Sequence, residues 1–304
     1  MKKHLIISGL LLVLLSCGKE KQTADTSSEN QTIVTNLKSE EDASETKAVV
    51  KTIFENSENI IESKELDLTL LSKVAQNLKI NYSDIKIDET SSVSYDNKSS
   101  FFVICIIRKS NGELKSEEED MGDYFERKYV FADKTNGKII AEETDNNLSF
   151  YDTEGVRFSK TSILKDPIQL NESTTGIAFF TESAASSRVV LYSEQIFSII
   201  TLVDGKIKKI LYEYPIRLTN GDSNGSGTFQ VETLETSLRI SDTKTNGFYD
   251  LLISKNFTYE ESKEEDLEKG IVEKSNIKSK KESQVIKFDG KIYAFDKDDR
   301  HRFL

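Results

Sequence analysis

The sequence predicts a mainly β protein of antiparallel sheets or a small propeller-like body, with a helical pair at the N-terminal end. Three observations carry this reading. Short apolar runs of β-type residues recur from about residue 100 to the C-terminus. Asn-Gly or Asp-Gly stands between such runs at 136–137, 204–205, 246–247 and 289–290. These dipeptides take the positive φ angles of two-residue type I′ hairpins at least cost. Only residues 44–78 carry apolar positions at sustained helical spacing.

In chain order, Val49 with Ile53 and Val50 with Phe54 recur four apart, followed by Ile60-Ile61. Leu70, Val74 and Leu78 repeat the spacing with Leu71 and Ala75 beside them. This predicts helices over 44–62 and 67–78 around a turn at Ser63-Lys64, with Asp67 capping the second. The pattern spans too few heptads for a coiled coil, so the pair should pack on a sheet. Strands are predicted at 101–108, 126–132, 137–142, 176–181, 187–192, 196–203 and 206–214. The series continues at 228–232, 234–240, 248–254, 284–288 and 291–295. Phe131 to Ile139, Leu202 to Ile207 and Phe288 to Ile292 are the expected hairpin centres. Pro167 and Pro215 are placed beside strands and not within central ones. Gly205, Gly247 and Gly290 recur at roughly the length of one four-stranded propeller blade, which motivates the propeller-like alternative. Leu218 to Gly227 reads as a hairpin tip or a hinge, and the Glu- and Lys-rich stretch from Tyr259 to Lys269 as a solvated loop.

The first residues have a separate logic. Met1-Lys2-Lys3-His4 is basic, Leu5 to Leu15 is apolar, and Ser16-Cys17 follows. This is the layout of a secretory signal peptide, and its apolar core is too short to span about 30 Å of hydrocarbon. Leu14-Leu15-Ser16-Cys17 resembles the lipobox of bacterial lipoproteins. The resemblance implies cleavage before Cys17, a diacylglycerol on its thiol and an acylated amino terminus. It also implies membrane attachment through that lipid. Gly18 in place of an Asp implies the outer membrane in a Gram-negative cell, with the body facing the periplasm or the outside. Residues 18 to about 43 are polar apart from Ile33-Val34 and Leu37, as a tether would be. The expected organisation is a signal peptide (1–16), a lipidated tether (17–43), a helical segment (44–80), and two β regions (81–158 and 159–304).

Charge and residue usage narrow the function. With 52 acidic against 41 basic residues the net charge is −11, and loss of Lys2 and Lys3 with the signal makes the remainder more acidic. Such a chain repels phosphate backbones, which argues against nucleic acid and against polybasic lipid binding. Lipidation of Cys17 leaves Cys105 without a partner for a disulfide. Cys105 lies in the apolar run Phe101 to Ile107 and is expected to serve as a small buried hydrophobe. Beyond the signal the one imidazole is His301, near the chain end, a poor place for a catalytic base. Phe179-Phe180, Tyr192, Tyr212, Tyr214 and Phe248-Tyr249 are expected to fill a β core, with an interaction patch as the alternative.

Asp242-Thr-Lys-Thr-Asn246-Gly247-Phe-Tyr-Asp250 is the sharpest local motif. It resembles the calcium loops of FG-GAP-type propeller repeats, in which oxygen ligands at alternate positions converge on Ca²⁺. Asp242, Asn246 and Asp250 match ligand positions, whereas Lys244 stands where a further oxygen ligand is expected. The acidic run Glu117 to Asp123 and the mixed stretch Asp296 to Arg300 read as solvated. These observations imply a non-enzymatic, lipid-anchored protein of a bacterial cell envelope with a binding or structural role. A periplasmic inhibitor or immunity-type protein is one alternative, its acidic face suiting a basic envelope protein as partner. A carboxylate-based glycan hydrolase and a calcium-dependent adhesion module are the others.

Overall fold

The computed structural model describes residues 33–36, 49–108, 124–150, 156–158, 161–185, 189–225, 227–263, 274–297 and 302–303. The signal peptide, Cys17, the acidic run 117–123, residues 264–273 and His301 lie outside the described residues. The elements begin with β1 (Ile33–Asn36), β2 (Val49–Phe54), α1 (Leu68–Leu78), β3 (Ser91–Ser94), β4 (Ser99–Arg108), β5 (Tyr124–Asp133) and β6 (Ile139–Phe150). Three short strands follow, β7 (Val156–Phe158), β8 (Ser162–Ile163) and β9 (Ile168–Gln169), then the longer β10 (Thr175–Ala185) and β11 (Ser193–Val203). The longest strands come last: β12 (Lys206–Ser223), β13 (Phe229–Thr245), β14 (Phe248–Lys263) and β15 (Lys274–Ile286).

Two sheets result. The smaller has the order β3-β4-β5-β6, and the larger runs β1-β15-β14-β13-β12-β11-β10-β7, with β2 on β13 and β8 and β9 on β10. Pairing is antiparallel except for β1 alongside β15. The β10–β15 order is that of a meander, each strand beside its predecessor, and not of separate four-stranded blades around an axis. Its turns explain this. Asp204 (φ 51°) and Gly205 (φ 69°) join Val203 to its register partner Lys206, and Asn246 (φ 49°) and Gly247 (φ 87°) join Thr245 to Phe248. Both central residues are left-handed, so each turn returns the chain onto the neighbouring strand.

The predicted helical pair is one helix. α1 matches the second prediction: the Asp67 carboxylate accepts from the Leu70 amide at 2.9 Å, and Lys79, in the left-handed region at φ 58°, ends it. Where the first helix was expected, 49–54 is a strand and Ser57–Asn59 a single 3₁₀ turn, residues 44–48 being outside the described ones. Val49, Val50, Thr52 and Ile53 are β-branched, and β13 offers a ladder that an isolated segment lacks. Part of the expected tether is also a strand, β1, which pairs with Asn276 to Ser279.

Three apolar layers hold the body together. Leu70, Leu71, Val74 and Ala75 of α1 cover Phe102, Ile104 and Val130 on one face of the small sheet. Gly137 is needed here: its φ is +72°, and a Cβ would stand 2.6 Å from that of Lys73. The opposite face of the small sheet packs Phe101, Val103, Tyr129 and Phe131 onto Ile177, Phe179 and Ile200 of the large sheet. Beyond that sheet, Phe197, Ile199, Leu211, Leu238, Ile253 and Tyr293 belong to the third and largest core. The Tyr249 amide donates to the Leu170 carbonyl at 2.9 Å, bringing the β13–β14 turn to the β9 end of the sheet. Cys105 is buried, and burial pushes its thiol up to about 11.

Strand lengths depart most from expectation. The predicted strands 228–232 and 234–240 are one strand, and β14 and β15 run to Lys263 and from Lys274. Residues 218–223 of the supposed tip or hinge belong to β12, as do 259–263 of the supposed loop to β14. The predicted strand 187–192 reduces, among its described residues, to a Val190–Asp222 bridge. Pro215 lies inside β12, beside a register shift that relieves the ladder of its missing donor.

Candidate functional site

The 242–250 loop is a β13–β14 turn with a bulge behind it. Between the Ile240–Leu251 and Lys244–Tyr249 pairs, residues 241–243 oppose Asp250 alone. Asp242 faces solvent, whereas Asp250 is fully buried. Asn246 occupies the turn and donates its side-chain amide to the Phe288 carbonyl at 2.8 Å. Lys244 pairs with Glu172, its ammonium 4.8 Å from the centre of the Tyr249 ring. The three expected ligands thus have three different surroundings. Among the described residues, no group of three or more His, Cys, Asp and Glu is placed to hold a metal ion.

A second polar cluster, which the sequence did not reveal, spans the two sheets. Arg127 and Tyr129 of β5 lie beside Asp145 of β6, Arg127 and Asp145 being register partners. Across the interface, Tyr212 of β12 donates its hydroxyl to Asp145 Oδ2 at 2.8 Å, and Tyr129 donates to the same oxygen at 2.5 Å. Arg127 Nη1 reaches Thr181 Oγ1 of β10 at 3.2 Å, and Lys209 of β12 pairs with Glu143 of β6 at 2.8 Å. The Lys209 ammonium also sits 4.2 Å from the Tyr212 ring centre. Burial, and then the Asp145 carboxylate, pushes both tyrosine hydroxyls up. Burial lowers the Arg127 guanidinium, with neighbouring anionic groups opposing it.

β12 presents this cluster through a bulge. Glu213 has a φ of 58°, and its backbone N–H donates to Ser198 Oγ at 3.0 Å. A left-handed glutamate inside a strand costs energy and persists only where its surroundings impose it. Burial, then Asp145, raises the Glu213 carboxyl above its ordinary range. Two carboxylates with unlike environments are one ingredient of glycoside hydrolysis. Here Asp145 is 3% exposed and already accepts two hydroxyls. Its geometry serves the joint between the sheets and leaves that oxygen no approach for a substrate.

The remaining candidate is the polar half of the large sheet. Past the cores, β12–β15 continue together, and their two faces differ. One carries Leu234, Phe257 and Tyr259 and receives the chain end. The Arg302 amide donates to Glu232 at 2.6 Å, its guanidinium lies 4.3 Å from the Phe257 ring centre, and Phe303 meets Tyr259. The other face carries one row of hydroxyl side chains in direct register, between a row of amide and charged side chains and a row made of Gly221, Val231, Glu260 and Ile277. At the β12–β13 end, a depression of about 340 Å³ is lined by Asp222, Asn224, Phe229, Gln230 and Glu261 among others. A second, of about 230 Å³, lies by the start of α1 between Asp67, Ser92 and Lys134. No family model, curated protein or solved structure matches this chain.

Proposed function

We propose that this chain is a lipid-anchored bacterial envelope protein whose role is binding, with the polar half of the large sheet as its contact surface. The observation that carries the reading is the continuation of four strands well beyond the apolar cores, as a broad sheet with polar side chains. Strands of 13 to 18 residues exceed the usual five or six. A surface built at that length serves contact better than packing. The lipobox residues Leu14 to Cys17 support the address. Two lipid signals would hold it, each buried methylene contributing about 0.8 kcal/mol.

The test is fractionation of cells expressing the wild type and Cys17→Ser, with metabolic incorporation of an alkyne fatty acid. The wild type should be labelled and resist alkaline extraction. The variant should be unlabelled and leave the membrane fraction with its β-type circular dichroism retained. A variant that stays membrane-bound after alkaline washing refutes the lipid as sole anchor.

A further inference from the structure

We propose that the hydroxyl-bearing face of the β11–β15 sheet binds a linear, neutral, polyhydroxylated chain, that is, a glycan. The inference rests on the binding role proposed above and names its ligand class. Ser193, Thr219, Thr233, Thr258 and Ser279 stand directly opposite one another on five adjacent strands. At about 4.8 Å between strands the row extends about 19 Å. All five are part-exposed, and among the described residues none makes a side-chain hydrogen bond. Each hydroxyl both donates and accepts, so the row repeats the same bonding capacity at a fixed interval. A polymer whose own hydroxyls repeat along its length is the matching partner.

The neighbouring row supplies an independent observation. Gln195, Arg217, Glu235, Asn256 and Lys281 are again direct register partners. Gln195 is 8% exposed, and its side-chain oxygen is buried without a hydrogen-bond partner. A buried acceptor left open is unfavourable; the Gln195 oxygen is sealed from solvent as it stands, and a sugar hydroxyl satisfies it once the side chain turns outward. Arg217 and Glu235 pair at 3.3 Å, and Glu235 also accepts from Ser57 Oγ at 3.0 Å. Those two charges are matched, and Lys281 at the β15 end has no ion-pair partner among the described residues, so the middle of the row selects for hydrogen bonding and not for a charged ligand. A peptide strand would instead add at a sheet edge, where backbone groups are open. Phe229 is the one aromatic on this face among the described residues, at its outer end. Recognition therefore rests on many weak bonds and should tighten with chain length.

The experiment uses the full lipidated chain in detergent micelles and titrates cellohexaose, xylohexaose and chitohexaose calorimetrically. At least one should bind saturably, and more weakly as the trisaccharide. Thr233→Val with Thr258→Val keeps shape and β propensity, and should weaken binding at least tenfold at an unchanged melting temperature. Gln195→Leu should raise the melting temperature and still weaken binding, a combination that a purely structural role does not produce. The proposal is overturned if none of the three binds up to about 10 mM, or if binding survives the double threonine variant. Neither result touches the Cys17→Ser test, so failure of the ligand class and failure of the anchor remain distinguishable.

Discussion

The two halves of the large sheet are built from the same strands but held in different ways. Near the β13–β14 turn, Leu238, Ile240, Leu251 and Ile253 bury against the largest core, while β10–β12 pack their other face on the small sheet. Toward the β12–β13 tip the same strands alternate Thr, Ser, Asn and Glu, and depend mainly on their ladder and on the Arg302 clamp. Stability in a sheet is not uniform, and parts with few apolar contacts open first. The cored half sets the stability, and the polar half carries the side chains that the proposed ligand would engage.

Substitutions that separate the halves should differ by several kcal/mol. Leu238, on the same strand as Thr233, is buried in the largest core. Leu238→Ala should lose about 2–5 kcal/mol in urea denaturation. Thr233→Val on the polar half should stay within about 0.5 kcal/mol. Equal losses would break the distinction between the halves. Tyr212→Phe removes one of two hydroxyls from the Asp145 carboxylate. Its loss should be about 1.5–3 kcal/mol, the range for hydrogen bonds to charged groups. If instead Tyr212→Phe is neutral, the polar joint contributes nothing beyond the apolar layer beside it.

What the sequence disclosed divides along the same line. The hairpin turns at Asp204-Gly205 and Asn246-Gly247 were legible because positive φ at two successive residues demands such dipeptides. The Asp67 cap and the α1 face were legible because both signals are local. β2 was misread because Val49, Ile53 and Phe54 satisfy helical spacing as well as a strand, and the ladder that decides between them lies nearly two hundred residues away. The outer halves of β14 and β15 were missed because Glu, Lys, Ser and Asn carry no apolar alternation, although a neighbouring strand holds them just as well. The Asp145–Tyr129–Tyr212 cluster depends on pairing between strands remote in sequence. Nothing short of topology brings those residues together. The threonine row is hidden for the same reason: each member is unremarkable alone, and only the register aligns them.

A small effect whose sign is informative is expected at the β12 bulge. Glu213 sits half-buried on the β12 bulge, near Asp145, Tyr212, Lys209 and Lys297, with its carboxyl raised above the ordinary range. A carboxyl raised by folding favours its protonated form in the native state. Its contribution to stability is therefore complete below the unfolded-state value and is lost as pH rises through the native one. Glu213→Gln is neutral throughout and escapes that loss. The variant should match the wild type in acid and exceed it as pH rises to neutrality. The gain should stay under about 1 kcal/mol, because solvent screens a half-exposed group. Thermal melts from pH 4 to pH 8 read this directly. A variant less stable than the wild type at neutral pH would mean that the glutamate charge is held by Lys209 or Lys297 more strongly than burial and Asp145 oppose it. The bulge would then be a stabilising ion-pair site and not a strained one.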